Sequence, residues 1–404
     1  MRVASSTLAL TGAFLAVAAS GAAQTTLTLA EALARARELA PQVVSARLAI
    51  DEARGRFAGT THSPLNPEVD FALGNRQGNG SRSTDIDLGY GQRFEPGRRR
   101  DARQAMAAAG IDQRVAELDE VTRVTLRETA LAFLRAIFLA ERIRLLDRTA
   151  ELADNVWQIA DRRFRAGDIA VLEVNIARAA LARARAERQG VEAERAIALG
   201  GLKQLLQLEG DLEVRGDLAP AADPQLTALL AATTDLPELR ALTAALREAE
   251  AEGQFGQSAG RADYGFAARY QREEGDHIIL GGLIVTLPLI AKGQEPIAVG
   301  AARAARLKAE HAAALVRSRI DVRTAVEAYQ RRSAAVQSLQ RDALPGLDEN
   351  DGLATRSFEV GQVGLAELLL IRREILDTRF QYLDALWEAA LARVEVDARA
   401  GVLR

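Results

Sequence analysis

Two stretches far apart in the chain share one pattern. Arg163 to Arg178 reads RFRAGDIAVLEVNIAR, and Ser357 to Arg372 reads SFEVGQVGLAELLLIR. In each, a Phe (Phe164, Phe358) stands three residues before a Gly (Gly167, Gly361). A β-branched residue follows the glycine by two (Ile169, Val363), a Glu by six (Glu173, Glu367) and an Arg by eleven (Arg178, Arg372). Each stretch interrupts an otherwise continuous helical pattern, so each is expected to be the bend of a long α-hairpin. Their recurrence at a period of roughly 195 residues marks the chain as a duplication.

The flanking segments support this reading. From Arg98 to Arg165 there is no proline, and Gly110 is the only glycine. Phe138, Leu145, Leu152 and Ile159 recur every seven residues, the spacing of a coiled-coil seam. A helix of that extent is on the order of 100 Å long, which no ordinary globular domain of this size accommodates. Beyond Gly361, the leucines 369, 376 and 383 keep the same spacing, and Pro345 marks a bend before that turn. At the other end, Leu29 to about Thr60 is helical with a break before Pro41, and Thr28 is placed to cap it. GDLEVRGDLAPAADP closes the first half as a Gly/Pro-rich linker.

Between the helical stretches the periodicity changes to two. Val69, Phe71 and Leu73 alternate with Asp70, Ala72 and Gly74. Ile86, Leu88, Tyr90 and Phe94 alternate with Asp85, Asp87, Gly89, Gly91 and Arg93, and Tyr264, Phe266, Ala268 and Tyr270 with Asp263, Gly265, Ala267 and Arg269. Ile278 to Leu289 is a more uniformly apolar strand. NRQGNGSRS and REEGDH read as hairpin loops. One face is apolar and the other small or charged, a pattern that fits either a soluble half-buried sheet or a transmembrane barrel. Four strands of about ten residues have the length of tilted membrane strands. They cannot close a barrel alone, because an open edge in lipid leaves backbone groups unpaired. If the strands span a membrane, several chains must share one wall.

The expected organisation is therefore a first structural repeat over 24–220, with a helix, a β-hairpin over about 67–95 and a long α-hairpin over about 98–208. A second repeat covers 221–404, with a helix, a β-hairpin over about 261–290 and an α-hairpin over about 296–402. Residues 1–23 read as a secretory signal: Arg2, the apolar run Leu8 to Ala19, and Gly21-Ala22-Ala23 before Gln24. An N-terminal membrane anchor is the alternative, but the apolar run is shorter than the roughly 20 residues a spanning helix needs. The absence of cysteine argues against disulfides, thiolate metal sites and an N-terminal lipid anchor. A net charge of −3 supplies no basic field for nucleic acid. The three histidines, His62, His277 and His311, have no paired ligand spacing, so neither a metal centre nor a cofactor is expected. No catalytic motif appears, and Arg98-Arg99-Arg100 reads as the polar start of a helix.

With these features together, the sequence resembles the TolC-like outer membrane efflux proteins, and among them the CzcC-like branch of heavy-metal efflux. The resemblance covers essentially all of the chain beyond the signal. It is carried by the duplicated Gly turn and by two strand-to-helix junctions, DIDLGYGQRFEPGRRRDARQA and LIVTLPLIAKGQEPIAVGAARAA. The second departs from the metal branch at Ile290-Ala291-Lys292. The resemblance implies a mainly α fold with a small membrane β part. It also implies a homotrimer whose four strands per chain complete a 12-stranded barrel in the outer membrane, continued by an α-helical tunnel across the periplasm. The tips would meet a periplasmic adaptor (membrane fusion protein) and, through it, an inner-membrane RND pump. The chain itself would be a passive duct and not an enzyme, outside the lipidated members of the family because it has no Cys.

Site residues follow from the same combination. Phe164, Gly167, Ile169, Phe358, Gly361 and Val363 are expected at the periplasmic tip and its adaptor contact. Glu173 and Glu367 match the acidic residues lining the closed mouth, where three copies of each would make carboxylate rings that favour cations. The second acidic position of the family is Ile176 or Leu370 here. Solvated helix-face charges, or pairs with Arg178 and Arg372, are the alternative. Tyr90, Phe94, Tyr264, Phe266 and Tyr270 are expected as the lipid-facing aromatic girdle, or else as the buried face of a soluble sheet. As a function of another class, a periplasmic coiled-coil scaffold or adaptor remains, as does a duct for drugs or other small molecules.

Overall fold

The computed structural model describes residues 25–78, 81–95, 97–273 and 275–403; the secretory-signal reading of residues 1–23 lies outside them. The described chain opens with β1 (Thr25–Leu27) and α1 (Leu29–Leu39). Thr28 caps α1: its hydroxyl accepts from the Glu31 N–H at 3.4 Å, and the Glu31 carboxylate accepts from the Thr28 N–H at 2.8 Å. This reciprocal pair satisfies two donors that a helix start otherwise leaves orphaned. The Thr28 backbone N–H holds the Glu31 carboxyl below its ordinary pKa, so the cap is intact at neutral pH and is lost as pH falls through that lowered value. Ala40 is extended ahead of Pro41 (φ −58°, ψ 130°), and α2 (Pro41–Thr60) starts immediately.

Next come β2 (Glu68–Gly78), β3 (Ser81–Phe94), α3 (Gly97–Arg165) and α4 (Val171–Leu206). β4 (Leu212–Val214) pairs in parallel with β1, a joint inside the stretch that the sequence suggested was linker alone. The second half runs α5 (Leu226–Ala232), α6 (Pro237–Ala259), β5 (Asp263–Glu273), β6 (Asp276–Thr286), α7 (Gln294–Ser338), α8 (Leu347–Glu359) and α9 (Leu365–Arg399). Between α7 and α8 lies one π turn, Leu339–Ala343, and then Gly346 at φ +87°, so Pro345 does break the long helix. Gly110 does not break α3, which runs 69 residues, about 100 Å.

The sheet has the order β2-β3-β5-β6, every neighbour antiparallel. The strands extend further than the apolar alternation: β2 and β3 stay paired out to Gly78–Ser81, and β5 and β6 out to Glu273–Asp276. At those ends both faces become polar, so the side-chain pattern fades while the backbone ladder continues.

The helices pack through a series of separate apolar clusters along their length. The largest gathers around the middle of α3, where Leu126, Phe133, Ile137 and Leu146 meet α1, α4, β4 and α9. Phe138 and Leu383 of the expected seams are in it, and Phe138 stacks on Trp387 at 5.2 Å. The other seam residues are only half-buried: Leu145, Leu152, Ile159, Leu369 and Leu376. The fully buried positions toward the turns are Val156, Ala160, Leu365 and Leu368 instead. The physical reason is that α4 and α9 both pack on α3 and diverge. A groove of about 480 Å³ lies between the three helices, lined by Leu152 of α3 and by Leu369 and Leu376 of α9.

Candidate functional site

The sheet presents two unlike faces. Strand register sets Val69, Tyr90 and Ala268 on one face and Asp70, Gly89 and Arg269 on the other. The first face carries the five expected aromatics. Phe266 lies between Tyr90 and Phe94, with ring centroids at 5.8 and 6.0 Å; Tyr264 is beside Phe94 in register, and Tyr270 is nearer the hairpin end. Nothing among the described residues covers this face: Phe71 is 62% exposed, Ile279 82% and Leu283 85%. The alternative of a sheet buried in a soluble core is therefore not the observed arrangement.

The opposite face holds ion pairs between side chains of β2, β3 and β5, beside apolar Ile278, Leu280 and Ile284 of β6. Arg269 bridges Asp87 at 3.0 Å and Asp70 at 3.2 Å, and Gln271 donates to Asp87 at 3.0 Å. Arg76 bridges Asp85 at 3.0 Å and Glu273 at 3.2 Å. A Cβ on Gly89 would come within 2.3 Å of the Asp70 carboxylate, so the absence of a side chain there makes room for the network.

The joint between sheet and helices is clamped by arginines. Arg99 donates to Asp263 at 3.1 Å, Arg100 to the Thr61 carbonyl at 2.6 Å, and Arg103 to Glu95 at 2.6 Å and to the His62 carbonyl at 3.2 Å. The arginine run is thus more than the polar start of a helix. It fixes the angle at which α3 leaves β3.

At the far end of the helices the two duplicated turns lie together and have the same backbone. Gly167 (φ +86°) donates to Phe164 O at 2.9 Å, and Asp168 to Arg163 O at 2.9 Å. Gly361 (φ +78°) donates to Phe358 O at 3.1 Å, and Gln362 to Ser357 O at 2.9 Å. Both are Schellman caps with glycine in the left-handed conformation. A Cβ at either glycine would meet open space, so φ alone calls for glycine there.

The side chains do not repeat so faithfully. Phe358 is 1% exposed, packed with Val156, Ala160, Leu365 and Leu368 and with the Arg163 guanidinium 5.5 Å from its ring. Phe164 is 42% exposed. Of the two expected tip phenylalanines, Phe164 is therefore exposed and Phe358 is packed inside the chain. Ile169 is half-buried against the same cluster, and Val363 is half-buried.

Glu173 and Glu367 each occupy the third position of a helix, after the caps Ala170 and Gly364. Negative charge is favoured there by the helix dipole. Glu367 is exposed and Glu173 half-buried. Their suggested arginine partners are engaged elsewhere. Arg178 lies 5.9 Å from the Trp157 ring. Arg372 is buried and donates to Asp351 at 3.0 Å, to Thr355 at 2.9 Å and to the Leu152 carbonyl at 3.1 Å. It ties α9 and α8 of the second hairpin to α3 of the first. Its signal was present in the sequence: Asp351 and Thr355 stand four apart, on one face of a helix. Among the described residues no group of three metal-ligating side chains is placed to hold an ion, and no helix is long and apolar enough to cross a membrane.

A sheet with an apolar, aromatic face uncovered among the described residues and ion pairs on the other, joined to long helices, of which α3 is about 100 Å, that end in paired turns, has the fold of the outer-membrane channels. It matches CmeC of Campylobacter jejuni with a TM-score of 0.77 at 15% identity, over 93% of this chain and 85% of that one. It matches CusC with 0.77 at 16% identity, over 92% and 91%, and the open state of MtrE of Neisseria gonorrhoeae with 0.76 at 17%, over 93% and 89%. Residues 32–207 match the family described as outer membrane efflux protein. The chain is 24% identical over 306 residues to the cobalt-zinc-cadmium resistance protein CzcC of Cupriavidus metallidurans, covering 72% of each. The resemblance to the TolC-like outer membrane efflux proteins and their heavy-metal branch is borne out, as is the fold class of long α-hairpins with a smaller β part.

Proposed function

We propose that three copies of this chain close a 12-stranded barrel in the outer membrane and continue it as an α-helical tunnel into the periplasm. The assembly is a passive duct for efflux, with heavy-metal cations as cargo. The observation that carries this reading is the sheet itself. Among the described residues its apolar, aromatic face is uncovered, its other face carries the charged side chains of β2, β3 and β5 beside the apolar Ile278, Leu280 and Ile284 of β6, and β2 and β6 are open at the edges. Hydrocarbon is the environment that suits the first face and water the second. The open edges demand strands from other chains. β2 and β6 run in opposite directions, since each successive neighbour is antiparallel, so an edge-to-edge junction keeps the up-and-down order.

The two turns are then the periplasmic mouth, six per trimer, facing a membrane fusion protein and an RND-type pump. Phe164 and the two glycine caps support docking there. Glu173 and Glu367 supply the acidic rings, and gating acts on these same hairpins. The similarity to CzcC supports a metal cargo. The chain would be exported on its signal and would hold its place in the membrane without a lipid.

The test has two parts. Membranes separated by density should place the protein in the outer-membrane fraction, releasable only by detergent; recovery as a soluble periplasmic protein removes the barrel. Deleting the gene should lower resistance to one or more of zinc, cobalt, cadmium, nickel and copper. Unchanged metal tolerance with lost drug tolerance would reassign the cargo.

A further inference from the structure

The outward face of the sheet does not stay apolar to its far end. Facing residues of neighbouring strands form rungs that repeat about every 6.6 Å. One rung is Phe71, Leu88, Tyr270 and Ile279, apolar apart from one hydroxyl. The next is Leu73, Ile86, Arg272 and His277. Two rungs further out, Gln77 faces Arg82. These cations share the face of Phe71 and Leu73, not the charged face, whose Arg76 and Arg269 are held in ion pairs.

Arg272 and Arg82 are exposed, and neither side chain has a hydrogen bond or ion pair among the described residues. Beside Arg272 in register, His277 Nδ1 and the Tyr270 hydroxyl are hydrogen-bonded at 2.6 Å. The hairpin ends point away from the helices, so this rim lies at the membrane surface opposite them. A guanidinium reaching past the edge of the hydrocarbon meets headgroups, and its planar fork matches phosphate oxygens in pairs.

We propose that Arg272 and Arg82, flanked by the Tyr270–His277 pair, bind the phosphate groups of lipid in the outer leaflet. The inference rests on the barrel reading above, and it gives the barrel a charged collar on its lipid side. The collar would fix the height at which the wall sits, in addition to the aromatic girdle.

The test uses the full-length protein, extracted in detergent and confirmed as a trimer by native mass spectrometry. It is incubated with bis-phosphorylated lipid A and, separately, with the dephosphorylated form, and retained lipid is counted. The wild type should retain the phosphorylated form preferentially. The double variant Arg82→Gln/Arg272→Gln should lose that retention by roughly tenfold or more. The control Arg93→Gln removes one cation from the opposite face and, compared with the single variant Arg272→Gln, should retain lipid as the wild type does. Equal retention of both lipids by the wild type overturns the proposal, and so does undiminished retention by the double variant or an equal loss in Arg93→Gln. Failure of the barrel reading would show earlier and differently, as wild-type protein that needs no detergent and forms no trimer.

Discussion

Phe164 and Phe358 are the same residue in a duplicated motif and do different work. Phe358 fills the contact between the two hairpins, and Phe164 stands in solvent. Truncating a buried phenylalanine removes its transfer energy and leaves a cavity, so Phe358→Ala should cost about 3–5 kcal/mol. Phe164→Ala should stay within about 0.5 kcal/mol. Denaturant unfolding of the detergent-solubilised protein, followed by helical signal, checks both; equal costs would mean the tips pack symmetrically. Arg372 has a comparable position. Its side chain is 9% exposed, with Asp351 at 21%, and its removal leaves a half-buried carboxylate without its partner. Arg372→Ala should cost roughly 2–3 kcal/mol, less than a fully buried pair, and the same unfolding experiment reads it. The spacing of Asp351 and Thr355 put two acceptors on one face of α8, but that this face meets Arg372 was decided by how α8 and α9 pack across the Gly361 turn.

Among the elements, the turns were the most legible. A glycine three residues past a phenylalanine at the end of a long helix predicts a left-handed cap, and both glycines adopt one. A β-branched residue in that conformation costs on the order of 1–2 kcal/mol or more, which shifts the turn without unfolding helices of this length. On the proposed function, Gly361→Val should therefore leave a trimer on native gels and abolish metal resistance by uncoupling the tip from the proposed adaptor. A variant with intact resistance would contradict the docking role. Strands were legible in type and position but not in length. Alternation reports a difference between two environments, and at the outer ends of the hairpins that difference disappears while the ladder goes on. The heptads were legible as helix and misleading as core. A seven-residue repeat marks a stripe but not which neighbour covers it, and because α3 serves both α4 and α9, part of that stripe lies in the groove between them.

For the whole molecule the question is what the proposed trimer encloses. If the tip glutamates ring the mouth, the open trimer in a planar bilayer should favour potassium over chloride, and Glu173→Gln/Glu367→Gln should reduce that preference. Unchanged selectivity would leave the two carboxylates as helix-start charges alone, a role their third-position placement already accounts for.

By itself the sequence determined the duplication, the two β-hairpins, the helix lengths and the glycine turns. Each of these is written in residues close together in the chain, where backbone sterics and side-chain period decide the outcome. The tertiary structure decided which phenylalanine is buried, where Arg372 finds its acceptors, that the arginine run clamps the sheet to the helices, and that the apolar face of the sheet is left bare. Those depend on which surfaces meet across separations of up to about two hundred residues. Packing fixes such meetings, and the duplicated pattern, identical in its two copies, could not distinguish them.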